Sequence, residues 1–325
     1  MRRREFIGLI GMIATCAPTA RAQSKIPLIG FLSGRSHAET IVVMGQFKKA
    51  LAQAGFVEGQ NLRVEYRWAE GQYERLPSLA AELVDSRPAV IVATGGNVAA
   101  LAAKAATSTI PIVFAAGGDP IKGRLVASLN RPGGNVTGVS LFIAELAAKR
   151  LEFLREIAPR STIIGVLMNP NNPTGVAEAL DVEGRATALG LTVKLLHVRG
   201  AGDLEQTLSA AATQQIEAIL VTNDPFLIDI RDQLVRIAKA GMLPVVYFTR
   251  EFVEAGGLMS YGASIGDGYY KVGAYAAQIL MGAKPADLPV QQPTKFELVI
   301  NIQAANALGL VIPSALLATA DEVIE

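Results

Sequence analysis

The chain of 325 residues is short of the side chains that most enzymatic chemistry uses. It has one cysteine, two histidines and one tryptophan, and aromatic residues make up 6% of it. The cysteine, Cys16, lies near the amino terminus, so the rest of the chain offers no thiol nucleophile, disulfide or thiolate metal site. His197 alternates within TVKLLHV as a strand residue does, and His37 sits in a loop where no motif ties an acid or a nucleophile to it. There is no G-x-S-x-G elbow, no H-E-x-x-H pair and no Walker loop, and TGGNVA lacks the third glycine and the lysine of a phosphate cradle. An excess of one charge is missing too. The 30 Lys and Arg stand against 29 Asp and Glu, which leaves no electrostatic footprint for nucleic acid. The expectation is a protein with no catalytic residue, metal or cofactor.

What is present begins with MRRREFIGLIGMIATCAPTARAQS. Arg2, Arg3 and Arg4 precede an apolar core from Phe6 to Ala14 and a small-residue ARA ending at Ala22. This is the layout of a cleaved export signal over residues 1–22, too short for a spanning helix, and it predicts Gln23 as the first mature residue. RRREFIG also approaches the twin-arginine pattern, so both export routes stay open. IATC is a poor lipid-attachment signal beside a good peptidase site, which favours a soluble periplasmic protein over a lipoprotein held through Cys16. Losing Arg2, Arg3, Arg4, Arg21 and Glu5 leaves 26 basic and 28 acidic residues, a net charge of about −2, with no polybasic patch for a membrane.

Short runs rich in valine and isoleucine alternate with helical patterns along the rest of the chain. Strands are expected near residues 30, 65, 92 and 113, and again near 166, 195, 220 and 246, with the Pro-Gly-Gly stretch Arg131–Gly138 as a loop between the two sets. Strands alternating with helices imply parallel sheets with right-handed crossovers. The fold class expected is α/β, as two similar doubly wound parallel-sheet lobes joined by a hinge. An eight-stranded α/β barrel is the rival. NLRVEYRWA speaks against it, because Leu62, Val64, Tyr66 and Trp68 alternate with charges as on a half-wet sheet edge, whereas barrel strands are buried on both sides. The expected division is residues 27–139 plus 258–325 for the first lobe and 140–257 for the second. At least two crossings are expected, near 140 and near 252, two or three parallel crossings would make a hinge, and the tail strand KFELVIN is open to either lobe.

In open α/β sheets ligands bind beyond the carboxyl ends of the strands. Small hydroxyls, amides, glycines and a few acids follow each strand here: Ser33 to Ser36, Thr94 to Asn97, Gly117 to Asp119, Asn169 to Asn172, Thr222 to Asp224 and Thr249 to Glu251. Each could be an ordinary helix N-cap, or could serve a ligand through hydrogen bonds and free N–H groups. A ligand like an amino acid needs an acid for its ammonium, donors for its carboxylate and apolar walls, for which Phe114, Tyr247, Phe248 and Tyr261 are candidates. Gly117 and Gly118 would let backbone approach such a ligand, with Asp119 ordering the loop or meeting a positive group. An enzyme with Asp119 facing Asp224 or Glu251 across a cleft is a further alternative.

GFVEGQNLRVEYRWAEGQYERLPSLAAELV, ATSTIPIVFAAGGDP, LVASLNRPGGNVTGVS, KRLEFLREIAPR, GGLMSYG and the tail from KPADLPVQQPTKFELVIN to the end occur in this order. Together they resemble the ABC-transporter substrate-binding family that includes tryptophan- and tyrosine-binding members, over about residues 27–325. The resemblance implies a two-lobed type I periplasmic binding protein that passes a small ligand, amino-acid-like or aromatic, to an inner-membrane ABC permease. A monomer suits that task. Carried onto this sequence, the family's cleft loops point to Ser33, Thr94, Gly95 and Asp119 in the first lobe and to Asn169, Asn223 and Asp224 in the second; Gly118, Tyr247 and Tyr261 complete the expected ligand site. Where aromatic-amino-acid binders of the family carry Asp-Asn, this chain reads Asn223-Asp224. A sensory or partner-binding module on the same fold is the other reading.

Overall fold

The structure, a computed structural model, describes residues 26–325. The expected export signal, with Cys16, lies outside the described residues. The first lobe contains β1 (Leu28–Ser33), α1 (His37–Gln53), β2 (Arg63–Trp68), α2 (Leu76–Asp85), β3 (Val90–Thr94), α3 (Asn97–Ala106), β4 (Ile112–Ala116) and β5 (Val136–Ser140). Its sheet runs β2-β1-β3-β4-β5 with every pairing parallel, a doubly wound order. The central strands β3 and β4 are buried along their whole length, as continuous apolar strands between two helix layers should be. The half-wet strand β2 stands at the edge.

β5 begins inside the stretch that the sequence reads as a loop, and VTGVS hides it. A Cβ at Gly138 would stand 2.2 Å from the Phe114 carbonyl oxygen of the neighbouring strand. The glycine that breaks the strand pattern is what lets these two backbones approach.

The second lobe follows with α4 (Ala147–Ile157), β6 (Ile163–Met168), α5 (Pro173–Ala188), β7 (Thr192–His197), α6 (Asp203–Thr213), β8 (Ala218–Val221), α7 (Pro225–Asp229), α8 (Arg231–Ala240), β9 (Val245–Tyr247), α9 (Glu251–Glu254) and β10 (Met259–Gly262). The chain ends in α10 (Ile265–Leu280), β11 (Glu297–Asn301), α11 (Ile302–Ala307), α12 (Ser314–Thr319) and β12 (Glu322–Ile324). The second sheet runs β12-β11-β10-β9-β8-β6-β7, parallel except where β10 meets β11. Two separate sheets exclude the barrel.

The tail departs from the expected division. The residues from 258 onward were expected in the first lobe, with the strand KFELVIN open to either, yet β10 and β12 belong to the second sheet, and KFELVIN pairs there as β11. β10 continues directly from β9, pairing Met259 with Val246 and Ser260 with Tyr247, so no crossing occurs near 252. Only α10 and the segment after it, as far as Gln291, return: α10 packs on α1 and on β3, β4 and β5, and Gly273 lets it close on the Phe47 carbonyl, where a Cβ would be 2.5 Å away. The chain therefore passes between lobes three times, after Ser140, after Gly262 and between Gln291, which bridges to Val139, and Glu297.

Candidate functional site between the lobes

The loops beyond the carboxyl ends of the two sheets meet. At the centre of the meeting is α7 with the two residues before it, Asn223-Asp224-Pro225-Phe226-Leu227-Ile228-Asp229. Pro225 presets the first helical turn, and Asp224 caps it by accepting from Leu227 N at 3.2 Å. A helix of five residues has almost no stability of its own. This one is fixed by packing, with Phe226, Leu227 and Ile228 all buried.

The first lobe receives it on glycines. A Cβ at Gly96 would lie 3.0 Å from Pro225 and one at Gly71 3.0 Å from Phe226; at Gly117 it would lie 2.3 Å from the Asn223 amide, and at Gly118 2.6 Å from Thr174. Gly96 and Gly71 also hold φ of +97° and +73°, which L side chains rarely adopt.

Polar contacts fasten the same seam. The Tyr73 hydroxyl donates to Asp224 Oδ1 at 3.0 Å and accepts from Phe226 N at 3.1 Å. Asn172 Nδ2 donates to Asp224 Oδ2 at 2.8 Å. Arg35 Nε donates to Asp229 Oδ1 at 3.0 Å, Ser36 N donates to Asp229 Oδ2 at 2.6 Å, and Arg231 pairs with Glu39. Burial pushes the Asp224 carboxyl up to about 6, against the pull of its hydrogen bonds from Asn172 and Tyr73. Beside these contacts a cleft of about 210 Å³ opens between α1 and the α8–α9 corner, and Arg35, Glu39, Arg231 and Glu251 line it. Among the described residues no group of three or more His, Cys, Asp or Glu could hold a metal ion, and no helix is long and apolar enough to cross a membrane.

The family model for ABC transporter substrate binding proteins matches residues 25–324. The chain belongs to that family. This substrate-binding protein is 26% identical over 264 residues to a tyrosine-binding protein of Clostridioides difficile, covering 81% of this chain and 75% of the relative. It superposes with a TM-score of 0.82, at 28% identity over 92% of this chain and 100% of the other, on an ABC domain from Streptococcus pneumoniae in complex with L-Trp. On the ligand-free, open structure of a substrate-binding protein with adhesive properties from Clostridium difficile the TM-score is 0.64, at 27% identity over 92% of this chain and 99% of the other. The two-lobed type I fold is thus the fold of a substrate-binding family, not of an enzyme family.

Within this substrate-binding protein the sequence-predicted residues divide. Gly118, Asn223 and Asp224 stand at the contact between lobes. Ser33, Thr94 and Gly95 form the layer beneath: Ser33 Oγ accepts from Arg35 N, Thr94 Oγ1 takes the Tyr269 hydroxyl, and a Cβ at Gly95 would be 2.7 Å from Gly34 N. Asp119 and Asn169 shape their own turns. Asp119 Oδ1 accepts from Ile121 N at 2.7 Å and Lys122 N at 3.1 Å, and Asn169 Oδ1 accepts from Asn171 N at 2.9 Å.

The two tyrosines lie elsewhere. Tyr247 stacks on Phe252 at 4.6 Å between centroids, and a Cβ on Gly257 would be 2.7 Å from its ring, so it fills the layer under α8 and α9. Tyr261 meets Phe153 edge-on at 5.2 Å and Phe296 at 6.2 Å on the α4 side of the second sheet. The direction of each side chain from its strand sends it into a helix layer rather than to the seam.

Arg35 entered only as part of the stretch Ser33 to Ser36, without a role, and Gly71, Tyr73, Phe226 and Asp229 were not singled out from the sequence. One signal was available for the last two: PFLID is an apolar run in a loop that had no reason to be apolar unless something covers it.

Proposed function

We propose that the protein is the periplasmic solute-binding component of an ABC import system and captures a zwitterionic aromatic amino acid between its lobes. The observation that carries this reading is the closed seam, in which a family fold built to open and close brings α7 into a glycine-lined socket on the other lobe. The comparison of TM-scores supports it. Identity and coverage are nearly equal for the L-Trp complex and for the open, ligand-free relative, yet the score falls from 0.82 to 0.64, as it should if the lobes here are placed as in the complex.

Arg35 is the group we assign to the ligand's carboxylate. It is 3% exposed, lines the cleft, and hydrogen-bonds through Nε alone among the described residues, so two donors of its fork are open to a bidentate carboxylate. Glu251, whose carboxylate takes a hydroxyl from Thr249, faces the same cleft and suits the ammonium. Ser140 Oγ, buried at the end of β5 with no hydrogen-bond partner, is a further donor. Ser33, Thr94, Gly95, Gly118, Asn169, Asn223 and Asp224 shape the site and the closing surface. Export through the amino-terminal signal, delivery to an inner-membrane permease and a monomeric state complete the proposal.

The enzyme alternative has little to use. Asp119, expected to face Asp224 or Glu251, is occupied by turn N–H groups, Asp224 by Tyr73, Asn172 and Leu227, and Glu251 takes the Thr249 hydroxyl. The test is a thermal-shift and calorimetry panel of L-Trp, L-Tyr, their decarboxylated amines and unrelated sugars. A ligand at 100 times its Kd should add about 2.7 kcal/mol of stability. L-Trp or L-Tyr should raise the midpoint, the amines should not, and Arg35→Gln should abolish the difference. A panel in which no amino acid moves the midpoint overturns the reading.

A further inference from the structure

Arg150 on α4 and Glu178 on α5 form an ion pair with both side chains at 0% exposure, entirely within the second lobe. Buried pairs of this kind are poor stabilisers, because desolvation offsets much of their attraction; an apolar pair of similar volume often does as well. What this pair does with its remaining hydrogen bonds is more specific. Arg150 Nη1 donates to the Ile143 carbonyl at 2.8 Å and to the Tyr261 carbonyl at 3.3 Å. Ile143 lies on the first passage between lobes, and Tyr261 is the residue before Gly262, where the second passage begins. On the other side, Glu178 Oε2 accepts from Asn223 N at 2.8 Å. Asn223 opens the segment that docks in the first lobe, with its side chain against Gly117.

We infer that Arg150 and Glu178 are positioning residues that join two of the three hinge passages to the docking segment at 223–229, so that rotation at the hinge delivers Asn223 and Asp224 to the first lobe in register. This rests on the proposed capture of a ligand by lobe closure, and it adds the element that transmits the closure. The route is contiguous: Tyr261 and Ile143 carbonyls, the guanidinium, the carboxylate, then the Asn223 amide. No other side chain takes part in it. The pair reaches the seam only through the backbone N–H of Asn223 and does not line the 210 Å³ cleft, so a loss of binding on its removal does not come from a lost contact in that cleft.

The variant that separates positioning from stability is the double replacement Arg150→Met with Glu178→Leu, which keeps the volume apolar and removes both anchors. Closure is read without any ligand by spin labels on Lys49→Cys and Lys239→Cys in a Cys16→Ser background, one label on each lobe. The unaltered pair should give a compact lobe-to-lobe distance with a narrow distribution. The double variant should keep its thermal midpoint within a few degrees, broaden that distribution, and bind L-Trp or L-Tyr at least about tenfold more weakly, about 1.4 kcal/mol. If the double variant does not fold, Glu178→Gln decides. It keeps an acceptor for Asn223 N but loses the charge that holds Arg150, and the same broadening is expected. A folded variant whose distance distribution matches the parent overturns the inference. If the parent binds neither amino acid while the distributions still differ as expected, the ligand reading fails and the positioning role stands.

Discussion

The two rims that face each other across the seam are made of different material. On the first lobe the surface is mostly backbone: Gly71, Gly96, Gly117 and Gly118 leave room, and Tyr73 and Arg35 reach out from behind them. On the second lobe it is side chain: Thr174, Asn223, Asp224, Pro225 and Phe226 project into that room. A sequence reading that treats the two sheets as repeats of one unit assigns the same job to the groups after every strand. The structure shows a socket and a plug, and each rim tolerates a different kind of change. The socket is sensitive to added volume, and the plug to lost partners.

Four experiments break or sharpen that contrast. The largest effect is expected from the plug. Asp224→Ala removes a helix cap and strands the buried Tyr73 hydroxyl and Asn172 amide, which should cost about 2–4 kcal/mol in urea unfolding. An effect below about 0.5 kcal/mol would mean that the two lobes do not depend on this contact.

Next comes the socket. Gly117 has no positive φ, so Gly117→Ala adds only a methyl group, placed against the Asn223 side chain of the other lobe. Ligand affinity should fall about tenfold, with unfolding of the separate lobes unchanged. Calorimetry showing parental affinity would remove the case for a fitted socket.

The third experiment uses pH. The Asp224 carboxyl is held at about 6 by burial, above its ordinary 3.8. A raised acid adds stability that is complete below the unfolded value and lost as pH climbs through the folded one, because the unfolded chain releases its proton first. The stability of the parent relative to Asp224→Asn should therefore decline from about pH 4 to about pH 7. A difference that is flat over this range would contradict the burial of an acid at the seam.

The smallest effect is expected at Asp119. Asp119→Ala should cost about 1 kcal/mol through the loss of a turn cap and leave ligand affinity untouched. A large loss of affinity would return Asp119 to the ligand site.

The alternation of strands and helices was legible because it is written in local periodicity: β1, β3, β4, β6, β8 and β9 are short apolar runs, and β2 shows its wet face. β5 was not, because Gly138 serves a neighbour twenty-four residues away in sequence, Phe114, and local pattern cannot see it. At least two passages were expected, and the second was misplaced near 252 because the side of the molecule that a helix covers is decided by long-range packing, as α10 on α1 shows. At the site, Asn223 and Asp224 could be found by their place after a strand. Tyr247 and Tyr261 could not be ruled out, since a strand residue's outward or inward direction depends on a register the sequence does not print. Arg35 was visible only by its place after β1, and Tyr73 gave no signal, because their partners, Asp229 and Asp224, are supplied by the other lobe.

The interleaved tail has a consequence for synthesis. The first lobe lacks a covering helix until Ile265–Leu280 has been made, and the second sheet lacks its last strand until Glu322–Ile324 has been made. The first lobe can finish once residues up to Gln291 have been made, and the second only after its β11 and β12 follow. A chain stalled before Ile265 holds two unfinished lobes, and one stalled between Asn301 and Glu322 leaves the β11 edge bare and open to unwanted strand pairing.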